Sequence, residues 1–171
     1  GEAGATIGLI VLSFGTIGLI AGGSISDRLL KIGYLDNGMR VGIIAALGCI
    51  PFALLLPSMN SLFSLLAVFC PLVLFACLGF GSSAAALQQI TPNRLRGIVS
   101  GCYFFLLNVI GIGLSPSITA VITNYGFKDE LMLVNSVSVM AVCSSILAAF
   151  ILWRGLKPYR EESAIRVDLS E

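Results

Sequence analysis

Five stretches of this chain, at 5–23, 41–56, 62–87, 98–123 and 131–153, contain no Asp, Glu, Lys or Arg. A helix that crosses a bilayer needs about 20 mostly apolar residues. With their flanks, the five stretches predict spans at about 5–26, 39–57, 62–90, 97–123 and 130–154. The second is the shortest and carries Pro51; Pro71 and Pro116 lie inside two others. Membrane helices tolerate proline where neighbours satisfy the freed carbonyl. Buried helices of a soluble domain are the alternative, and charge argues against it. Only 11% of the 171 residues are charged, against roughly a quarter in soluble domains, too few to solvate the outside of such a core. The expected fold class is therefore all-α integral membrane. Residues 1–156 form a transmembrane helical bundle with the lipid bilayer as its first partner, and 157–171 form a tail with at most a turn of interfacial helix.

The same composition removes several function classes. A net charge of +1 gives no basis for nucleic-acid binding, and the chain has no histidine, the commonest metal ligand and general base. Cys49, Cys70, Cys77, Cys102 and Cys143 all fall inside apolar runs and form no CxxC pair, so they read as small packing residues. No metal or cofactor is expected. An intramembrane enzyme would need a base beside its nucleophile, and no His, Asp or Glu lies within the runs. The expectation is that the chain is not an enzyme.

The connections set the expected topology. Arg28, Lys31 and Arg40 fall in the first, Arg94 and Arg96 in the third, and Arg154, Lys157, Arg160 and Arg166 follow the last run. Nine of the ten basic residues thus fall on one side, and Lys128 alone on the other. Basic residues stay cytoplasmic, which puts the N-terminus outside and the C-terminus inside. Trp153 and Tyr159 sit where aromatic anchors meet the interface. The start, Gly1-Glu2, has no initiator Met and no basic region, so it does not read as a signal peptide. It reads as the start of a processed chain or of a fragment of a longer protein, and one further helix upstream would place both ends of a six-helix unit in the cytoplasm.

Two connections carry motifs. The first runs Gly22-Gly23-Ser24-Ile25-Ser26-Asp27-Arg28-Leu29-Leu30-Lys31-Ile32-Gly33. A glycine here allows close helix approach, and an Asp-Arg pair at the membrane edge can form breakable contacts that hold one side shut. The alternative is a plain basic turn. The third connection, Gln88-Gln89-Ile90-Thr91-Pro92-Asn93-Arg94-Leu95-Arg96-Gly97, stops one helix at a proline and opens the next with Arg-Gly.

Gly23, Asp27 and Arg28 resemble the G-x-x-x-D-R-x-G-R-R signature of the major facilitator superfamily, with a departure after Arg28, where Lys31 is the next basic residue and Gly33 the next glycine. The turn at Arg94 and Arg96 resembles that family's connection between the fourth and fifth helices of a half. Gly101, Asn108, Gly111, Gly113 and Pro116 resemble the spinster-like branch, transporters linked to lipids and lysolipids. The resemblance covers helices eight to twelve of a twelve-helix protein. It implies most of the C-terminal six-helix bundle, in a plasma or bacterial inner membrane, working by alternating access with an N-terminal transporter half. It implies a small-molecule or lipid-like substrate, with any proton relay upstream. Gly23, Asp27, Arg28, Arg94 and Arg96 would serve cytoplasmic closure.

Helical spacing supplies candidate lining residues. Gly101, Phe104, Asn108, Gly111, Ser115 and Thr119 share one face of the fourth run, and Asn108 lies near its middle, where an amide needs a partner or water. This face either lines a substrate cavity, as the resemblance implies for the eleventh helix, or Asn108 hydrogen-bonds a neighbouring helix. Tyr103 beside it either contacts substrate or anchors at the interface, and Ser13 and Thr16 are further lining candidates. Gly4, Gly8, Gly15, Gly18, Gly22 and Ser26 form a stripe suited to static packing or to a moving seam. Asn135, Ser138 and Ser145 read as interhelical hydrogen bonding in the last run. The competing class is a non-transporting membrane scaffold, or a half-transporter module that needs a partner chain.

Overall fold

The computed structural model describes residues 2–59, 61–123 and 133–168. Among the described residues there are helices and turns and no strand. The helices are α1 (Glu2–Lys31), α2 (Asn37–Leu55), α3 (Leu62–Ile90), α4 (Arg96–Leu107), α5 (Ser115–Val121) and α6 (Leu133–Asp168). A short 3-10 turn at Leu56–Ser58 follows α2, and a π-helical segment, Asn108–Leu114, joins α4 to α5 in one continuous span. Five helices are thus long and apolar enough to cross a membrane, which fits a multi-pass membrane protein.

Local chemistry ends the helices. Gly33, at φ 98°, donates to Leu30 O while Tyr34 donates to Leu29 O at 3.0 Å. This is a Schellman closure, and its left-handed residue is most easily a glycine. It carries α1 beyond the boundary expected near residue 26. Ser61 starts α3 by accepting from the Ser64 amide at 3.2 Å. Thr91 ends α3 in extended geometry, as the ring of Pro92 requires of the residue before it.

The expected tail at 157–171 differs from the structure, because α6 continues as helix through Asp168 with Pro158 inside it. Two docked side chains hold this extension: Tyr159 donates to Ala86 O at 2.9 Å, and Arg160 reaches Asp36. The expected boundary falls where the apolar run ends, and these contacts lie beyond it.

Helix α3 packs on α1 and α2, and α2 packs on α6. Val41, Ala45 and Leu78 form the core, with Ala21, Ile25, Leu29 and Leu74 against it. Close approach comes from missing side chains. A Cβ at Gly18 or Gly22 would strike the carbonyls of Leu74 and Leu78 in α3, and one at Gly38 would lie 2.6 Å from the Ala86 methyl. Lipid gives helices no hydrophobic reason to associate, so such contact supplies much of the attraction. The stripe on α1 is partnered from Gly15 onward, whereas nothing lies within 4 Å of a Cβ at Gly4 or Gly8. Ser138 in α6 donates to Ala53 O at 2.6 Å, a carbonyl that Pro57, four residues on, has no N–H to meet.

Neighbouring glycines make this packing testable. Gly22→Ala is expected to cost about 1–3 kcal/mol through overpacking. Gly23→Ala, with nothing within 4 Å of its Cβ, is expected to stay within about 0.5 kcal/mol of the parent. Thermal unfolding in detergent reads both, and equal shifts would refute the α1–α3 seam.

Candidate functional site

The end of the bundle that carries the first and third connections holds a buried polar cluster. Asp36 has no exposed surface, and its two carboxylate oxygens accept from Arg40 Nε and Arg160 Nη2, each at 2.9 Å. One acid therefore ties the α1–α2 turn to α2 and to the extension of α6. Burial alone would raise the Asp36 carboxyl. The hydrogen bonds from Arg40 and Arg160 and the charge of Arg40 outweigh it, leaving the group below its ordinary value. Arg40 also lies 4.1 Å over the ring of Tyr34. Beside this, Asn37 donates to Ser26 O at 3.1 Å and to Ser26 Oγ at 3.0 Å. Asn37 Oδ1 is buried with no donor among the described residues.

None of these residues except Ser26 was a sequence candidate. The available signal was a solitary acid placed immediately before a helix start and four residues before Arg40. What the sequence could not supply is Arg160, 124 positions away. The charges that the sequence singled out behave differently. Asp27 and Arg28 are exposed and take no part in the ion pairs among the described residues. Arg94 is exposed, and Arg96 donates to Thr91 O at 3.3 Å within its own turn. Gly23 has no close neighbour, and the approach expected there occurs at Gly22.

The fourth span, Arg96–Val121, is the second region of interest. No residue in α4 or α5 is buried, unlike α2 and α3. Its register changes at Asn108, where the π-helical segment begins. Pro116 offers no N–H to the carbonyl of Ile112, four residues back, and Gly111 and Gly113 flank that carbonyl. The regular spacing expected from Gly101 to Thr119 is therefore interrupted. Asn108 is exposed and donates to Phe104 O at 2.7 Å, so its amide back-bonds its own helix.

The six lining candidates do not meet in one cavity. Ser115 and Thr119, with Gly111, line a space of about 460 Å³ closed on the other side by Val137, Met140 and Ser144 of α6. Thr119 donates to Ser115 O at 2.9 Å. Tyr103 lines a smaller apolar cavity of about 160 Å³ between α2, α3 and α6, with Gly38, Met39, Leu87, Leu152 and Tyr159. There its hydroxyl pairs with that of Ser83 at 2.6 Å. Asn108 opens onto the outside of the span. Ser13 and Thr16 are exposed on α1 and bond to Leu9 O at 2.7 Å and Leu12 O at 2.5 Å. Among the described residues no group of three His, Cys, Asp or Glu is placed to hold a metal ion.

The Asp36 cluster has a definite pH signature. A carboxyl held below its ordinary value of 3.8 stabilises the fold above that value, and this contribution is lost as pH falls through the lower, folded-state value. Asp36→Asn is expected to cost about 1–3 kcal/mol at neutral pH, toward the low end because Arg160 is largely exposed. It should also flatten the acid limb of a thermal-stability profile, whereas Asp27→Asn should leave both unchanged. An unaltered acid limb in Asp36→Asn would show that the cluster contributes nothing there.

Compared with protein-family models, with curated proteins and with solved structures, the chain finds no match.

Proposed function

We propose that the chain works in secondary transport by alternating access, as most of the C-terminal half of a facilitator-type transporter. Its fourth span contributes to the substrate path. One observation carries this reading: the span with the least burial is also the one whose helix is interrupted, at Asn108–Leu114. A π-helical segment is one of the local adjustments by which a membrane helix re-satisfies the carbonyl that a proline leaves, and here it widens the turn at Asn108–Leu114. Among the described residues little covers this span, which leaves its face to a wet cavity or to a further helical partner. π-Segments are frequent at functional sites, and discontinuous helices near the bilayer midplane build many transporter sites.

Other features support the same reading. The contact order of the helices, α1 and α2 on α3 and α6 on α2, makes a cohesive block that leaves one span free to line a path. Gly4 and Gly8, small and uncovered, together with the exposed Ser13 and Thr16, suit a face that would meet an N-terminal half. The uncharged surroundings of Asn108, Ser115 and Thr119 favour an amphipathic or small organic solute over a strongly charged one. The excess of basic residues in these connections supports a cytoplasmic position for Asp27, Arg28, Arg94 and Arg96 under the positive-inside rule.

The test is thiol accessibility. All five native cysteines are free, so they are first replaced, and Asn108→Cys is introduced beside Leu106→Cys on the opposite side of the helix. A membrane-impermeant thiol reagent is expected to label Asn108→Cys in at least one of the inward-open and outward-open states and to spare Leu106→Cys. No labelling of Asn108→Cys in either state would overturn the assignment of this face to the path.

A further inference from the structure

The last apolar run ends at Trp153, and Arg154 is the first charge that follows it. At this boundary Trp153, Arg154, Leu156, Lys157 and Arg160 line a groove of about 450 Å³. Arg160 also borders an adjoining hollow of about 280 Å³ with Tyr34, Asp36 and Arg40. Steps of three and four residues bring Trp153, Lys157 and Arg160 onto one side of α6. Arg154 flanks them, its guanidinium 5.0 Å from the Phe150 ring centre. Trp153 is 65% exposed, and Arg154 and Lys157 are exposed as well.

The charge here is unbalanced. Asp36 commits its two oxygens to Arg40 and Arg160, one acid against two guanidiniums. Arg154 and Lys157 enter no ion pair among the described residues. Glu161 is the nearest acid along this stretch with a described side chain, and it is exposed and forms no ion pair with Lys157. A phosphate oxyanion is the complementary chemistry. Phe150 and Ile151, one helical turn before Arg154, are exposed and apolar, so a ligand with a phosphate head and hydrocarbon tails satisfies the charged and the oily parts together.

We propose that this groove binds the headgroup phosphate of an anionic phospholipid in the leaflet at this end of the bundle. Trp153 would sit at the glycerol level, and Arg154 and Lys157 would hold the phosphate. Basic pockets at a membrane surface recognise anionic headgroups in this manner. The inference does not depend on transport, since a scaffold with the same α6 would bind the same lipid.

Trp153 is the chain's one tryptophan and lies in the proposed site, so its fluorescence reports occupancy directly. The chain is reconstituted in phosphatidylcholine bilayers into which brominated phosphatidylglycerol or brominated phosphatidylcholine is titrated as quencher. The expected result is saturable quenching that favours the anionic lipid by about fivefold or more, on the order of fivefold for each basic residue engaged. Arg154→Gln with Lys157→Gln should bring the preference close to one. Arg94→Gln with Arg96→Gln, which removes equal charge elsewhere at the same end, should leave it intact. Equal quenching by both lipids, a preference that survives the first double variant, or one lost equally in the second would each overturn the proposal. Inorganic phosphate at tens of millimolar, matched in ionic strength with chloride, should not displace the anionic lipid; displacement would assign the site to free phosphate instead.

Discussion

In hydrocarbon no water stands ready to take a broken backbone hydrogen bond, so every proline within a span poses a problem that a neighbour has to solve. Pro57 is answered across the bundle, by Ser138 donating to Ala53 O at 2.6 Å. Pro92 is avoided, because α3 has already ended at Thr91. Pro158 lies beyond the apolar run, and Tyr159 and Arg160, directly after it, dock the helix onto Ala86 and Asp36. Pro51 and Pro71 lie inside α2 and α3, which stay helical through them. At Pro116 the span widens into a π-helical segment, a local adjustment that can re-satisfy such a carbonyl, and among the described residues this span has no buried residue. The fourth span thus stands apart from the packed helices by its helical form and its exposure.

The closed part has its own logic. Burial of apolar surface does not draw helices together in lipid, so contact depends on how near two backbones can come. Gly18 and Gly22 allow α1 onto the carbonyls of α3, Gly38 seats α2 against Ala86, and Gly42 accepts Leu152 of α6. Phe52 and Phe75 stack at 5.8 Å between α2 and α3, and Gly48 leaves room for the Phe75 ring. Polar contacts then pin the register: Ser26 with Asn37 at one end and Ser138 with Ala53 at the other. Sliding any of these helices would break a bond that the bilayer cannot replace.

The number of helices, their approximate limits and the use of small residues on α1 were legible in the sequence, because hydropathy and glycine spacing are local properties. The interhelical role of Ser138 was legible too. The π-helical break was not, since spacing arguments assume one period and cannot weigh how Gly111, Gly113 and Pro116 combine. Nor was the Asp36 cluster: Asp27 and Asp36 both lie near the membrane edge, and only the path of α6 reveals that Arg160 meets the second. The helical extension to Asp168 was hidden for the same reason, as its contacts with Ala86 and Asp36 are long-range. Composition showed where the apolar runs end and could not show what the chain does afterwards.

The two groups of charge at this end of the bundle have different physical status, which bears on how a transporter built from it would move. Asp36, Arg40 and Arg160 join three parts of the same block and are satisfied within it. Opening or closing a path between two halves need not disturb them, and breaking them would carry the cost of uncovering a buried carboxylate. They make the block rigid. Asp27, Arg28 and Arg94 are exposed, with no ion-pair partner in the block, and a solvated charge can exchange water for an opposing charge at little net cost. In a rocking mechanism the second kind suits a gate, because both states must lie close in energy. Under the proposed closure by Gly23, Asp27, Arg28, Arg94 and Arg96, the partners of Asp27, Arg28 and Arg94 would belong to the other half, while Arg96 already donates to Thr91 O in its own turn.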